Sequence, residues 1–320
     1  MKRITWMTLA LALSCVAIAA RAADDFPSRG LTIIVPFTPG SGSDASARFY
    51  GEALAKYFGH PVVVENRPGA NGIIGIQALK QAPADGYTIL LASNSPMSVN
   101  PLVLKNLPYD PVRDFRPIAG ISRNMNVFLV PAESALHSIG DLVAKARQNG
   151  PLNVGTYSAG YRLAAEWFAS LAGIRLANIP YKGQAPIMAD VIGNRLDVAL
   201  VDTGGALTLL KQGKVRALAV SGEHRHPELP DVPTVRESGF ADYVQYSWVS
   251  FYVRAETPDA IAGRLADAMQ AVLHTPASEA FIAQKGSDMM PLTPQAMRDF
   301  HFAEINRFRQ VAKAAGIHPE

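Results

Sequence analysis

The residues best suited to chemistry in this 320-residue sequence lie in a glycine- and serine-rich loop. The loop, PFTPGSGSDAS (36–46), follows the apolar run LTIIV and precedes a stretch with helical periodicity. Gly40 and Gly42 lack side chains, so the backbone can approach a ligand closely. The first turn of the following helix has N–H groups without helical acceptors and attracts a phosphate or a carboxylate. The loop therefore predicts an anion site, with a ligand-free turn as the simpler alternative.

The letters GSGSDA within this loop also fit the G-x-G-x-x-A pattern of a dinucleotide-binding turn. Glu65, about 20 residues further on, mimics the acid that binds the ribose. However, Pro36 and Pro39 stiffen the turn, and Asp44 places a negative charge near the expected position of the pyrophosphate. These features disfavour NAD, and Asp44 is expected to cap its own helix.

A second loop, GTYSAG (155–160), is similar to the turn that carries a catalytic serine in hydrolases. That turn has the pattern G-x-S-x-G, whereas Gly155 stands three residues before Ser158. The loop is better interpreted as a second strand-to-helix bend that faces the same anion. An exported hydrolase, which needs an activated nucleophile, remains an alternative.

Histidine and carboxylate spacing gives no indication of a metal site. Seven histidines are present, but none belongs to an H-E-x-x-H pattern. His224 and His226 stand in the polar segment EHRHPELP and are expected to be exposed to solvent. No metal and no cofactor are predicted.

The amino terminus has the parts of a secretory signal peptide. Lys2 and Arg3 precede an apolar stretch, and an A-x-A pattern at 20–22 marks a cleavage site. Residues 1–22 are therefore predicted to be removed and the mature protein to be exported. Cys15, the only cysteine, lies inside this segment, so the mature chain has no cysteine for a disulfide. A lipid anchor at Cys15 is the alternative.

The charge balance argues against nucleic acid as a partner. The full chain has 30 basic and 27 acidic residues, and three of the basic ones lie in the predicted signal peptide. The mature chain is then neutral and lacks the basic surface that nucleic-acid binding requires. Its length, about 298 residues, suffices for two domains.

Short apolar runs alternate with amphipathic stretches, which is typical of parallel sheets covered by helices. Strands are predicted at 31–35, 61–65, 87–93, 152–157, 196–202 and 215–221. Two longer apolar stretches, 121–131 and 243–253, have no helix beside them. If both cross between two lobes, they divide the chain into lobe 1 (26–122 plus 254–320) and lobe 2 (123–253). Ligands bind such folds in the cleft at the carboxyl ends of the strands.

Several segments resemble the exported receptors of tripartite tricarboxylate transporters, also called Bug-type solute receptors. The similarity extends over about 27–315 and rests most on the motifs ENRPGANG, PYKG and LPDVPT, which occur in family order. It implies an α/β protein with the type II periplasmic binding protein fold. In that fold, two parallel-sheet-based lobes are joined by two crossing strands and close on a carboxylate.

The same resemblance implies an exported, monomeric receptor that binds a small organic mono- or dicarboxylate and performs no chemistry. Such a receptor delivers its ligand to the membrane subunits of a transporter. A subunit that presents the ligand to a membrane signalling protein would have the same cleft, and the sequence does not separate these two functions.

Motif matches carry the family's ligand contacts onto this sequence. The expected contacts are Phe37, Thr38, Gly40, Ser41, Gly42, Ser43 and Asp44 in the first loop, Ser93 after the third strand, Tyr157, Ser158 and Gly160 in the second loop, and Asp202 at a strand end.

The second loop departs from the family pattern, because it is shorter and Arg162 stands where relatives have a histidine. Tyr161 is predicted to narrow the cleft or to stack on the ligand. Arg162 is predicted to meet a second carboxylate or to face solvent, and Tyr181 in PYKG to lie near the cleft as a contact or a packing residue. An aromatic or longer dicarboxylate, an amino acid and a citrate-like acid all remain open as ligands.

Overall fold

The computed structural model describes residues 26–319, so the predicted signal peptide and Cys15 lie outside the described residues. The strands in this range are β1 (Leu31–Val35), β2 (Val62–Asn66), β3 (Thr88–Ser93), β4 (Phe115–Pro131), β5 (Leu152–Thr156), β6 (Leu176–Pro180), β7 (Val198–Asp202), β8 (Val215–Val220), β9 (Tyr246–Arg254) and β10 (Asp288–Met289). The α-helices are α1 (Gly42–Phe58), α2 (Ile73–Gln81), α3 (Asn100–Val103), α4 (Ile139–Asn149), α5 (Ala159–Ala172), α6 (Gln184–Ile192), α7 (Thr203–Lys211), α8 (Asp259–Leu273), α9 (Pro276–Ala283) and α10 (Pro294–Ala314). None of these helices is long and apolar enough to cross a membrane.

The strands join in the order β2-β1-β3-β9-β4-β7-β5-β6, and β8 and β10 also pair with β4. The strands β1, β2 and β3 are parallel to one another, as are β5, β6 and β7. We call lobe 1 the part built from β1–β3, β10, α1–α3 and α8–α10, and lobe 2 the part built from β5–β8 and α4–α7. The parallel strands within each lobe follow from the βαβ alternation that the sequence shows.

The two long strands β4 and β9 connect the lobes. Residues Phe115 to Met125 of β4 pair with β9, which lies beside β3 in lobe 1. From Asn126 onward β4 pairs instead with β7 and β8 of lobe 2. The two apolar stretches that the sequence sets apart are therefore the crossing strands, whereas the exact lobe boundaries stay a prediction.

Each lobe has its own apolar core. The core of lobe 1 contains Ile33, Leu91 and Leu265, and the core of lobe 2 contains Phe128 and Phe168, all at most 2% exposed. Burial on both faces explains why the runs LTIIV and VALVD are almost continuously apolar rather than alternating. The strand ends that point towards the other lobe are thereby held on rigid sheets.

Sequence periodicity missed β6 and the first part of β4. β6, with the sequence LANIP, is a half-exposed edge strand that contains Asn178 and Pro180, so its apolar pattern is weak. β4 begins at Phe115 rather than at residue 121. Its early part contains Pro117 and Gly120, and its pairing with β9 is irregular there, which is why no regular strand pattern was visible.

The carboxy-terminal helix α10 packs on both lobes. Phe308 lies in one apolar cluster with Val99 of lobe 1 and Leu163 of lobe 2. On the same helix, the buried Nε2 of His301 donates a hydrogen bond of 2.8 Å to the carbonyl oxygen of Met97. The helix therefore covers the junction of the lobes and buries a histidine in it.

Stability should fall in mild acid because of His301. Burial lowers the pKa of its imidazole, so the folded protein holds the ring neutral where the unfolded chain already binds a proton. This stabilisation is complete above the ordinary histidine pKa of about 6.5 and is lost as the pH falls through the lower folded-state pKa. The free energy of unfolding can be measured with urea at a series of pH values. Below about pH 6.5, His301→Gln should reduce the slope of this free energy against pH by up to about 1.4 kcal/mol per pH unit. Replacement of the exposed His274 by Gln is the control, and an unchanged slope in His301→Gln would contradict the prediction.

Candidate functional site

An enclosed cavity of about 30 Å³ lies between the lobes. Lobe 1, the crossing strands and lobe 2 all contribute to its wall. The lining residues are Phe37, Ser41, Gly42, Ser43, Ser46, Ser93, Asn94, Ile282 and Lys285 from lobe 1, Ser122, Asn124, Ser247 and Val249 from β4 and β9, and Tyr157, Tyr161 and Asp202 from lobe 2. Most of these residues carry a hydroxyl, amide or charged group, while apolar atoms form the larger part of the accessible wall, so the cavity suits a small organic ligand with a few polar groups.

The start of α1 forms one corner of the cavity. Gly40 adopts a left-handed conformation, with φ of 80°, which ends the extended loop and turns the chain into the helix. The Ser41 hydroxyl accepts the N–H of Asp44 at 3.2 Å and so caps the helix. Gly42 and Ser43 in the first turn line the cavity, where their N–H groups have no acceptor within the helix. This corner therefore favours an anion.

Asp44 fastens this loop rather than lining the cavity. Its carboxylate accepts the N–H of Gly40 at 2.9 Å and pairs with Arg48 at 3.0 Å, while the Asn66 amide donates to it at 2.9 Å. Burial favours the neutral acid, but these donors outweigh burial and hold the pKa of Asp44 below its usual value. The ionised side chain therefore fixes the shape of the anion-binding corner.

The second loop brings two tyrosines to the opposite wall. Their rings are 4.4 Å apart, and the hydroxyl of Tyr157 donates to that of Tyr161 at 2.8 Å. Phe37 of the first loop meets the Tyr157 ring edge-on, at 6.3 Å between ring centroids. Burial raises the pKa of both tyrosines well above the usual value, so both keep their protons. The two predicted loops thus face each other across the cavity.

Direct contacts hold the lobes together beside the cavity. The hydroxyls of Ser95 and Ser158 are 2.8 Å apart, and the N–H of Gly160 donates to Ser95 at 3.1 Å. Gly183 lies against Thr38, where an added Cβ would come within 2.2 Å of the threonine hydroxyl. The lobes are therefore closed on each other, and two of the contacts require glycine.

Asp202 ends β7 and lies in the cavity wall. Its carboxylate accepts the N–H of Gly205 at 3.2 Å and so caps α7. Burial raises the pKa of this carboxyl group, although Gly205 and the positive charge of Lys285 oppose the shift. A group of this kind can accept a hydrogen bond or, once protonated, donate one to a ligand.

Fifteen residues were predicted as ligand contacts, and the structure brings eight of them into the cavity wall: Phe37, Ser41, Gly42, Ser43, Ser93, Tyr157, Tyr161 and Asp202. The other seven lie outside the lining: Thr38, Gly40, Asp44, Ser158, Gly160, Arg162 and Tyr181. Arg162 pairs with Glu166 at 2.7 Å, and the hydroxyl of Tyr181 donates to Asp190 at 2.6 Å. Direct ligand contact remains a prediction for all fifteen.

Sequence reasoning missed half of the lining. Polar residues interrupt the apolar sequence of the crossing strands at Ser122, Asn124 and Ser247. These interruptions could have indicated that the strands contribute to the site. Lys285 follows α9 in the segment AQKGSD, which looks like any exposed loop. The expectation that His226 is exposed was wrong, because its ring is 1% exposed and packs against Gly286 of lobe 1.

Comparison with known proteins agrees with these features. Residues 46–317 match the family described as the tripartite tricarboxylate transporter family receptor. A relative from Pseudomonas sp. (strain P51), the UPF0065 protein in the tcbD-tcbE intergenic region, is 32% identical over 307 residues, which are 95% of this chain and 91% of the relative.

Two solved structures are similar over nearly the whole described range. The R. palustris protein Rpa4515 with adipate has a TM-score of 0.89 and 33% sequence identity, and the match covers 92% of this chain and 100% of that protein. The periplasmic binding protein BugD has a TM-score of 0.87 and 29% identity over 92% of this chain and 100% of its own. The predicted fold, two parallel-sheet-based lobes joined by crossing strands, is therefore confirmed.

Replacing Gly160 by alanine should hinder closure of the lobes. The new Cβ would lie 2.4 Å from the Ser95 hydroxyl oxygen, so Ser95 would have to turn away and lose both hydrogen bonds. At about 1 kcal/mol for each bond, the affinity for any ligand that binds between the closed lobes should fall about ten- to thirtyfold in calorimetry. Gly263→Ala in α8 is the matched control, because nothing lies within 4 Å of its added Cβ. Equal affinities of Gly160→Ala and the wild type would contradict this role.

Proposed function

The chain belongs to the tripartite tricarboxylate transporter receptor family, and on that premise we propose that it is a periplasmic receptor for a small organic mono- or dicarboxylate. In this proposal the predicted signal peptide directs export, and the mature protein acts as a monomer. The inter-lobe cavity binds the acid, and the closed receptor delivers it to the membrane subunits of a tripartite transporter.

The observation that carries the proposal is the anion-binding corner in the cavity between the two lobes. The first turn of α1 supplies N–H groups at Gly42 and Ser43, and hydroxyl or amide groups of Ser93 and Asn94 lie in the same wall. Charge-assisted hydrogen bonds of this kind contribute about 1.5–3 kcal/mol each. A few of them suffice for micromolar affinity, since this corresponds to about 8 kcal/mol.

Closure of the lobes is the step that links binding to delivery. The contacts of Ser95 with Ser158 and Gly160 form only when lobe 1 and lobe 2 lie against each other. A ligand that touches both walls favours this arrangement over the open one and shifts the population towards it. The transporter then needs to recognise only the closed shape.

The arrangement of side chains favours binding over catalysis. Among the described residues that line the cavity there is no histidine and no cysteine. Ser158 lies outside the lining, and its hydroxyl is bonded to that of Ser95 rather than to a base. A nucleophilic serine needs an adjacent general base, so we expect no hydrolysis.

Calorimetric titration with a panel of mono-, di- and tricarboxylates, including adipate and aromatic acids, tests the function. The wild type should bind at least one acid with a dissociation constant of about 1 μM, and the neutral diamide of that acid should bind at least tenfold more weakly because it carries no charge for the donors. No member of the panel should be consumed during prolonged incubation. Absence of binding to every acid would overturn the proposal, and steady turnover of an ester or amide would support a hydrolase instead.

Tyr161 should set the size of ligand that fits. Its ring forms one wall of the cavity beside Tyr157, so Tyr161→Ala should create room for a longer or aromatic acid. The affinity ratio of an aromatic dicarboxylate to adipate is expected to rise about tenfold or more. Tyr161→Phe, which retains the ring, should preserve the wild-type ratio, and an unchanged ratio in Tyr161→Ala would show that the ring does not limit the ligand.

A further inference from the structure

Lys285 places a positively charged side chain at the cavity. The residue follows α9, and its ammonium nitrogen is buried, at 4.2 Å from the centre of the Phe281 ring. Among the described residues no hydrogen-bond acceptor reaches this nitrogen. A buried ammonium without an acceptor is unfavourable, and burial accordingly lowers the pKa of Lys285. Such a cation calls for an acceptor, and the residue that carries it lines the cavity.

The two nearest carboxylates do not serve as that acceptor. Asp202 and Asp44 attract Lys285 and partly offset the effect of burial on its pKa. Neither forms an ion pair with it within residues 26–319, because Asp202 caps α7 and Asp44 pairs with Arg48. Both acids therefore oppose the effect of burial on the pKa of Lys285 without satisfying its N–H groups.

Lobe 2 fixes the backbone that carries this lysine. The Nδ1 of His226 accepts the N–H of Glu228 at 3.2 Å, so the ring is neutral with its proton on Nε2, which lies 3.3 Å from the carbonyl oxygen of Lys285. The next residue, Gly286, has φ of 58° and packs directly against the imidazole, where a Cβ would collide with it. A buried histidine and a glycine thus hold Lys285 in one position at the lobe junction.

The lysine and the anion-binding corner line the same cavity. Phe281 stacks on Phe49 of α1 at 4.1 Å, which holds the end of α9 against that helix. Ile282 and Lys285 consequently line the cavity together with Gly42, Ser43 and Ser46 of α1. Two independent positive features, a helix start and an ammonium group, therefore act on one region.

We propose that the ammonium group of Lys285 is the direct counter-ion of the ligand carboxylate that lies at the first turn of α1. The inference rests on the proposed function. In addition to the peptide N–H groups at the start of α1, the ligand carboxylate then meets one positively charged group, the ammonium of Lys285. The site then recognises an ionised carboxylate by a buried ion pair and discriminates against neutral amides and esters of the same shape.

Calorimetric titration of adipate into Lys285→Met tests the contact, since methionine retains most of the apolar stem. The affinity is expected to fall about ten- to hundredfold relative to the wild type. Lys182→Met removes the same charge from the exposed residue beside Gly183 and should change the affinity by less than about twofold. The loss in Lys285→Met should persist at high salt, because a buried pair is screened little. A loss that disappears with salt would identify long-range attraction instead of the contact and overturn the inference.

Unfolding of the ligand-free proteins separates binding from structure. Lys285→Met removes an unpaired buried charge and should unfold at the same or a higher temperature than the wild type. A lower unfolding temperature would indicate a structural role and overturn the inference, as would adipate affinity within about twofold of the wild type. If the wild type binds another acid of the panel and not adipate, the same titrations use that acid. If the wild type binds the acid used and the variant binds it equally, only the role of Lys285 fails. If the wild type binds no acid of the panel, the proposed function fails, and the inference with it.

Discussion

A carboxylate that leaves water must have its hydrogen bonds replaced by oriented donors, and the construction of both lobes follows from this requirement. The donors at the start of α1 are available because a helix cannot satisfy its own first N–H groups. They point in a fixed direction because Asp44, Arg48 and Asn66 fasten the loop that precedes them. Parallel strands beneath both loops keep these donors in place. The entropic cost of ordering the loops upon ligand binding is therefore small.

Much of this architecture could be predicted from the sequence, because the decisive patterns are local. Burial on both faces makes β1 and β7 continuously apolar, and the glycines before α1 mark a close backbone approach. The crossing strands were visible as apolar stretches without neighbouring helices. β6 was missed because an edge strand shares few apolar contacts, so its sequence LANIP lacks periodicity.

Sequence reasoning identified only half of the residues that line the cavity, because the others come from distant parts of the chain. Lys285 is separated from Ser43 by more than 200 residues, and tertiary contacts such as the stacking of Phe281 on Phe49 bring them to one cavity. His226 was misjudged for a similar reason. Its polar surroundings in the sequence suggest exposure, but Gly286 from the other lobe supplies the cover that buries it.

The two crossing strands are hydrogen-bonded to each other as far as Met125 and Tyr246. The crossing strands therefore form one connected ladder between the lobes rather than two separate links. Ser122 and Ser247 of these strands lie in the wall of the cavity, so the ladder between β4 and β9 holds this part of the wall together. Separation of the lobes has instead to break the contacts of Ser95 with Ser158 and Gly160 and to part Thr38 from Gly183.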